Sequence, residues 1–351
     1  MSNFKLSLNT KVVRAVRNGS TISGVEVEDS TGARQIININ VGGKVILASG
    51  AMSTPRILYN SGIGPTDQIT TVANGCTGVT LPAQADWIDL PVGQNLRDHP
   101  IFTLTFNTTS NSTSMLSDAF LNPNTTDIDL FAEGSGPLAQ SGQRLNFWTS
   151  LNSTNGTRFF QGTCNSPAAG QVRIKLYLTH GATSSGVLGI NSAGATEFTT
   201  DPLMNTDADK TAVIAFIDSL LDAAKNSTSI TPSSSTASGS SLVSDYISGD
   251  HFVGTAMMGA SNDGTAVVDT DTKVFGTDNL FVVDASIHPD LPTGNTQAIV
   301  MVVAEHAAAK ILALGSSASN SSSIVAPFTN STSTATPSAV TPEPEADDDE
   351  C

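Results

Sequence analysis

The sequence predicts an α/β (α+β) fold in which strand–turn–helix units accompany antiparallel strands and flanking helices. Three observations carry this reading. First, "KVILASGAMSTPRILYNSGIG" is a short continuous apolar run, a glycine turn and a helical stretch; a run of that kind suits a buried central strand. Second, "TDNLFVVDAS" and "PTGNTQAIVMVVAEHAAAKI" set another apolar strand before an Ala-rich helix. Third, "KVVRAVRNGSTISGVEVEDSTGARQIININ" alternates polar and apolar residues around turns at Asn18-Gly19 and Ser30-Thr31-Gly32, as antiparallel strands do.

In chain order, the helix after "KVILAS" has Thr54 as its expected N-cap and Pro55 at its first position. Residues 66 to 200 are less regular, with "FTLTF" and "VRIKLYLT" as strands. "DADKTAVIAFIDSLLDAAKN" has helical apolar spacing and an acidic start, which favours an amphipathic helix. "STSITPSSSTASGSS" reads as a linker, and residues 242–315 as a second well-patterned block. From Ser316 the chain is low in complexity and ends acidic, too poor in apolar residues to order itself.

Composition excludes several partners. The net charge is −16, from 32 acidic and 16 basic side chains, and such a surface repels nucleic acid and anionic membrane. No apolar run reaches the length of about 18 residues that a membrane helix needs. Acceptor sequons at Asn18, Asn107, Asn111, Asn124, Asn152, Asn155, Asn226, Asn320 and Asn330 point to a secreted glycoprotein, although the first residues form no secretory signal. Of Cys76, Cys164 and Cys351, the last ends the tail, leaving Cys76–Cys164 as the expected disulfide. The Cys and His residues have no metal-ligand spacing.

Three places could carry chemistry. Asp284 ends an apolar strand, where a carboxylate can take hydrogen bonds from cofactor hydroxyls or cap the next turn. Asn295, in Gly294-Asn295-Thr296, is a natural N-cap for an apolar helix whose start offers N–H donors and partial positive charge. His251, in "SGDHFVGTAMMG", is the obvious general base. His99, His180, His288 and His306 are weaker candidates.

These residues lie in longer stretches that resemble the glucose–methanol–choline (GMC) flavin oxidoreductases. "GAMSTPRILYNSGIG" looks like a signature of that family, "PVGQNLRDHP" like the loop after it, and "DHFVGTAMMG" through "AEHAAAKIL" like its C-terminal segment. "RLNFWTSLNSTNGTRFF" and "DKTAVIAFIDSLL" are closest in wording to the flavin domain of fungal cellobiose dehydrogenases. The resemblance implies FAD as cofactor, a Rossmann-like FAD-binding domain and an antiparallel substrate domain. It also implies hydride transfer from a sugar or alcohol hydroxyl to flavin N5, turning a cellobiose-like sugar into a lactone. His251 would take the hydroxyl proton and Asn295 would hold the reacting oxygen. Gly50, Ala51, Asp284, Ala285, Asn295 and Thr296 would contact the cofactor, and Asp250 and Arg158 the substrate. Asp250 stands where the cellobiose enzymes carry Asn; a carboxylate there raises the histidine pKa. An aryl-alcohol or glucose oxidase, or an inactive sugar-binding glycoprotein, are the alternatives.

One family feature is missing. The strand, GxGxxG turn and helix that grip the ADP half of FAD do not occur. The single formal match, Gly134 to Ala139, carries Pro137 inside the turn and follows no strand pattern. The chain is therefore expected to hold only the C-terminal part of such an enzyme, starting inside the family's sequence and so without a leader. Alone, it should bind FAD weakly or not at all. The expected division is residues 1–65 from the first FAD-domain segment, 66–245 as substrate domain, 246–315 as returning catalytic segment and 316–351 as tail.

Overall fold

The alternating start of the chain forms β1 (Thr10–Asn18), β2 (Thr21–Asp29) and β3 (Arg34–Asn38), an antiparallel sheet in that order. In this computed structural model, which describes residues 3–109, 118–139, 143, 145–153 and 156–314, both turns fall where the sequence puts them. β4 (Val45–Leu47), α1 (Thr54–Asn60) and α2 (Thr66–Asn74) follow. The N-cap of α1 is Ser53 rather than Thr54. Thr54 is buried instead, and its hydroxyl donates to Asp284 Oδ2 at 2.6 Å.

The middle of the chain supplies β5 (Pro100–Thr108), α3 (Asp118–Leu121), α4 (Thr125–Ala132), β6 (Leu145–Ser153), β7 (Gly156–Asn165), β8 (Gln171–His180), β9 (Val187–Ile190) and β10 (Thr196–Thr200). Next come α5 (Asp207–Lys225), β11 (Ile230–Pro232), α6 (Gly239–Leu242), β12 (Ile247–Ser248), β13 (Leu280–Val282) and α7 (Gln297–Ala313). The large sheet runs β11-β5-β8-β7-β6, with β12 also on β5. The stretch expected as a linker is thus structured in part. Ile230 pairs with Thr108, and Ser238 and Ser241 close a reciprocal capping box on α6.

Two apolar cores result. One face of the large sheet, carrying Phe102, Leu104, Phe106, Phe160, Leu176 and Leu178, packs against Val213, Ile217 and Leu221 of α5. This is why α5 needs its apolar stripe; each such side chain contributes about 1.5–3 kcal/mol on burial. The other core surrounds the parallel pair β4–β13, through Val45, Leu47, Leu280 and Val282, with Ile57 and Leu58 of α1 and Val267, Val268 and Val274. Val72, Leu90 and Val92 join it.

Gly93, in the "PVGQNLRDHP" loop, packs between Tyr59 of α1 and Leu188 of β9. Its φ is +81°, and a Cβ there would stand 2.1 Å from both the Leu188 carbonyl and the Tyr59 hydroxyl; no side chain fits. α7 is apolar over most of its length, yet Ala307 and Ile311 are its buried residues while Met301, Val302 and Leu312 are exposed. A helix of that composition ordinarily lies in an interior.

Two sequence expectations are corrected. Cys164 is a free, buried thiol on β7, and Cys76 is disulfide-bonded, so the Cys76–Cys164 bridge does not form. Cys164 sits in the large sheet, whereas Cys76 follows α2 and donates its N–H to Ser192 beside β9. The formal GxGxxG match follows helix α4, not a strand, and Pro137–Ala139 form a 3-10 turn, confirming that it is no phosphate turn. The tail from Ser316 lies outside the described residues. Among the described residues no helix is long and apolar enough to cross a membrane, and no acidic, His or Cys group could hold a metal.

Candidate active site

Strand pairing brings the site together. β12 runs antiparallel to the start of β5, with Ser248 opposite Pro100 and Ile247 opposite Ile101. The residues before Pro100 and after Ser248 therefore lie side by side, although about 150 positions separate them, as the Asp98–His251 contact records. The Asp98 carboxylate, 3% exposed, braces this junction. Its Oδ1 accepts the backbone N–H groups of His99 and His251, each at 2.8 Å. Its Oδ2 accepts the Ser248 hydroxyl at 2.6 Å and the Gly249 N–H at 3.1 Å.

An asparagine at this position could offer only one acceptor oxygen and would turn its N–H₂ toward two donors. Asp98→Asn is expected to lower stability by about 1–3 kcal/mol, because buried donors lose their partner. Urea denaturation checks this; an unchanged midpoint would mean the brace contributes nothing.

On this brace stand two imidazoles. His99 is buried; its Nε2 is 2.8 Å from the Thr179 carbonyl, and its Nδ1 is 3.0 Å from Nδ1 of His251. The rings meet edge to face, with centroids 5.1 Å apart. Tyr177, one strand over on β8, lies nearly parallel to the His251 ring at 6.4 Å. His251 Nε2, on the far side of the ring, is 3.0 Å from Nδ2 of Asn295. Asn295 reaches it because Thr179 also accepts the Gly294 N–H at 2.6 Å, which holds the turn before α7 against the end of β8.

Burial pushes both imidazoles toward the neutral form. His99 falls to about 4, chiefly by desolvation, against the Thr179 carbonyl, which favours its protonated state. His251 is lowered for the same reason, partly offset by the Asp98 and Asp250 carboxylates. The unfolded chain therefore takes up protons first as pH falls. The stabilisation from keeping these rings neutral is complete above the unfolded value of about 6.5 and is lost as pH falls toward about 4. Urea midpoints should decline across that window, and His99→Gln should flatten the decline. An equal slope in the variant would assign the acid sensitivity to other groups.

Several sequence-predicted residues are brought together and others are not. His251 and Asn295 meet, and Asn295 is not the helix cap: Thr296 is the N-cap of α7, with no side-chain cap bond. The Asn295 amide is thereby released to His251. Asp250 adjoins His251 at φ +55°, a region that Asp and Asn tolerate, and its Oδ1 is 2.9 Å from the Ser248 hydroxyl.

Asp284 takes the capping role. It accepts the Gly50 N–H at 2.9 Å, the Thr54 hydroxyl, and both the N–H and the hydroxyl of Ser286, so its oxygens join β4 to β13 rather than facing outward. Ala285 follows within this cap, its carbonyl near the Gly254 N–H at 3.4 Å. Gly50 stands at φ +83° with nothing within 4 Å of where a Cβ would point. Ala51 is buried, and its carbonyl accepts the Thr255 hydroxyl at 2.7 Å. Arg158 is the clearest correction. At 2% exposure it is sealed beneath α5, with its Nε 2.9 Å from Asp209, and cannot reach a substrate.

Sequence reasoning missed Asp98, Thr179 and Tyr177 and ranked His99 low. The signal for two of them was legible: an Asp-His pair directly before a proline-led strand, inside a loop already singled out.

Two family models described as GMC oxidoreductase match this chain, one over residues 1–101 and the other over residues 183–304. Segments of both the N- and C-terminal models are thus present, which revises the expectation of a C-terminal part alone. A fatty acid photodecarboxylase of Chlamydomonas reinhardtii is 30% identical over 83% of this chain and 53% of its own length. Pyranose dehydrogenase 3 of Leucoagaricus meleagris is 29% identical over 88% of this chain and 56% of its own length. This chain therefore spans about half the length of these curated relatives. A solved structure of Aspergillus oryzae RIB40 formate oxidase, studied for its FAD modification, superposes with a TM-score of 0.70 at 20% identity, covering 87% of this chain and 60% of that one. No cellobiose dehydrogenase is among these relatives.

Proposed function

The chain belongs to the GMC oxidoreductase family, and from that premise we propose that its site oxidises the CH–OH group of a carbohydrate, with a cellobiose-like sugar as substrate and a lactone as product. The single observation that carries this is the 3.0 Å contact between His251 Nε2 and Asn295 Nδ2 at the end of the large sheet. One basic lone pair and one carboxamide converge there, which is what an alcohol needs to lose its proton while its oxygen is held.

The cofactor is FAD, and the residues fit its flavin end. The turn at Gly50 leaves open space where a side chain would stand, and α7 starts at Thr296 with no side chain closing its N–H groups. Gly50, Thr296 and Asn295 would line the flavin; Asp284 and Ala285 would shape that crevice from behind, as would Ala51. FAD, when bound, supplies the acceptor for the hydride of the alcohol carbon. His251 Nε2 takes the hydroxyl proton, Asn295 hydrogen-bonds the oxygen, and Asp98 holds the histidine loop in register. Carbohydrate is favoured by the exposed sheet face beyond the pair. There Trp148, at 60% exposure, Phe159 and Tyr177 offer ring surfaces for sugar C–H faces.

The same proposal takes the chain as a secreted glycoprotein, its acceptor asparagines Asn18, Asn107, Asn124, Asn152 and Asn226 all being exposed. It divides the chain into residues 1–65 and 246–315 on the FAD side and 66–245 on the substrate side. Without a phosphate turn, the purified polypeptide is expected to hold FAD weakly. Titration with FAD, followed by anaerobic addition of cellobiose, glucose and aryl alcohols, tests both points. Loss of flavin absorbance with sugars supports the reading; bleaching by aryl alcohols alone replaces the substrate, sugar binding without bleaching favours a binding module, and tight stoichiometric FAD refutes the weak-binding expectation.

A further inference from the structure

Three contacts in line constrain where the protons of this site sit. A carbonyl oxygen only accepts, so the 2.8 Å contact from Thr179 requires a proton on His99 Nε2. A neutral imidazole carries one N–H, so His99 Nδ1 is then a bare lone pair facing His251 Nδ1 at 3.0 Å. Two bare nitrogens at that distance repel, so His251 Nδ1 must carry the proton. Its Nε2 is then the lone pair, and it accepts from the Asn295 amide at 3.0 Å. The reverse order would need His99 as a cation, which burial disfavours until the pH is near 4.

We propose that His99 is a positioning residue that, anchored by the Thr179 carbonyl, fixes His251 as its Nδ1–H tautomer and so keeps the Nε2 lone pair aimed at Asn295. The link to catalysis rests on the function proposed above, but the tautomer itself does not. The groups facing the pair are the Asp98 and Asp250 carboxylates, the Thr179 and Pro292 carbonyls and the Tyr177 ring. The next proton added on acidification goes to His251 Nε2. That removes the acceptor for the Asn295 amide, which must then turn its oxygen toward the ring.

The experiment is nitrogen NMR of the whole protein labelled at its five histidines, with His99→Gln, His99→Leu and His251→Gln giving assignments. Near neutral pH the wild type should show His251 with a protonated Nδ1 and a bare Nε2, and His99 with the opposite pattern. His99→Gln, whose side-chain oxygen can still accept, should retain the His251 pattern. His99→Leu should lose it to an average of both tautomers. A wild-type His251 protonated at Nε2, or a His99→Leu spectrum with the pattern unchanged, overturns the proposal. If the leucine variant fails to fold, the wild-type spectrum decides alone. Absence of sugar oxidation would sink the functional reading yet leave this result standing.

Discussion

His251→Ala is expected to lower turnover of the flavin-loaded enzyme about 10²–10⁴-fold, the range that a positioned general base contributes. The size follows from the geometry. Nε2 is the one basic atom held against Asn295, and half-burial favours its neutral form near pH 7. The neighbouring His99 cannot substitute, because it is 1% exposed and its two nitrogens are already engaged by Thr179 and His251. Anaerobic single-turnover reduction separates the chemical step from binding. The variant should reduce flavin slowly at saturating sugar and lose the acid limb of its pH–rate profile, with sugar affinity little changed. Retention of most of the turnover would remove His251 from the mechanism.

The second large effect concerns stability. Arg158→Leu is expected to cost about 3–5 kcal/mol, since it strands a buried carboxylate. Asp209 is 0% exposed and accepts the Arg158 guanidinium at 2.9 Å, the Thr183 N–H at 2.9 Å and the Ser184 N–H at 2.7 Å. Burial alone would raise this carboxyl, but those hydrogen bonds outweigh it and hold the group below its ordinary value. Its contribution is thus present above the unfolded carboxyl pKa and lost as pH falls through the folded one. Urea denaturation at neutral pH measures the loss, and a partner change of Asp209→Asn should recover part of it, because the uncompensated charge is gone. A fully stable Arg158→Leu protein with a raised KM would restore the substrate-contact reading of this arginine.

The fate of Arg158 shows where the sequence stops being informative. Its place in "TRFF" fits a motif, and the strand was readable from that stretch, but whether a strand residue faces a cleft or a core depends on what lies across it. Here α5 lies across it and brings Asp209. Asp284 was similar: both of its roles were visible, and only the approach of β4 to β13 filled its oxygens. The linker from residue 227 was misread because three-residue strands and one-turn helices carry too little periodicity to stand out; Ile230 orders by pairing with distant Thr108. Cys164 stayed free because strand register set it in β7 of the large sheet, whereas Cys76 follows α2 beside Ser192.

The sequence by itself determined the turns at Gly19 and Gly32, the strands around "KVILAS", "FTLTF" and "VRIKLYLT", both long helices, and the candidacy of His251 and Asn295. These depend on interactions within a few residues, which periodicity, glycine and proline report directly. Only the tertiary structure decided that Asp98 braces the loop carrying His251, that Asn295 serves His251 rather than its own helix, and that His99 stands behind His251. Those pairings are set by the register among β5, β8 and β12, whose partners lie far apart along the chain, and distance along the chain carries no trace of proximity in space.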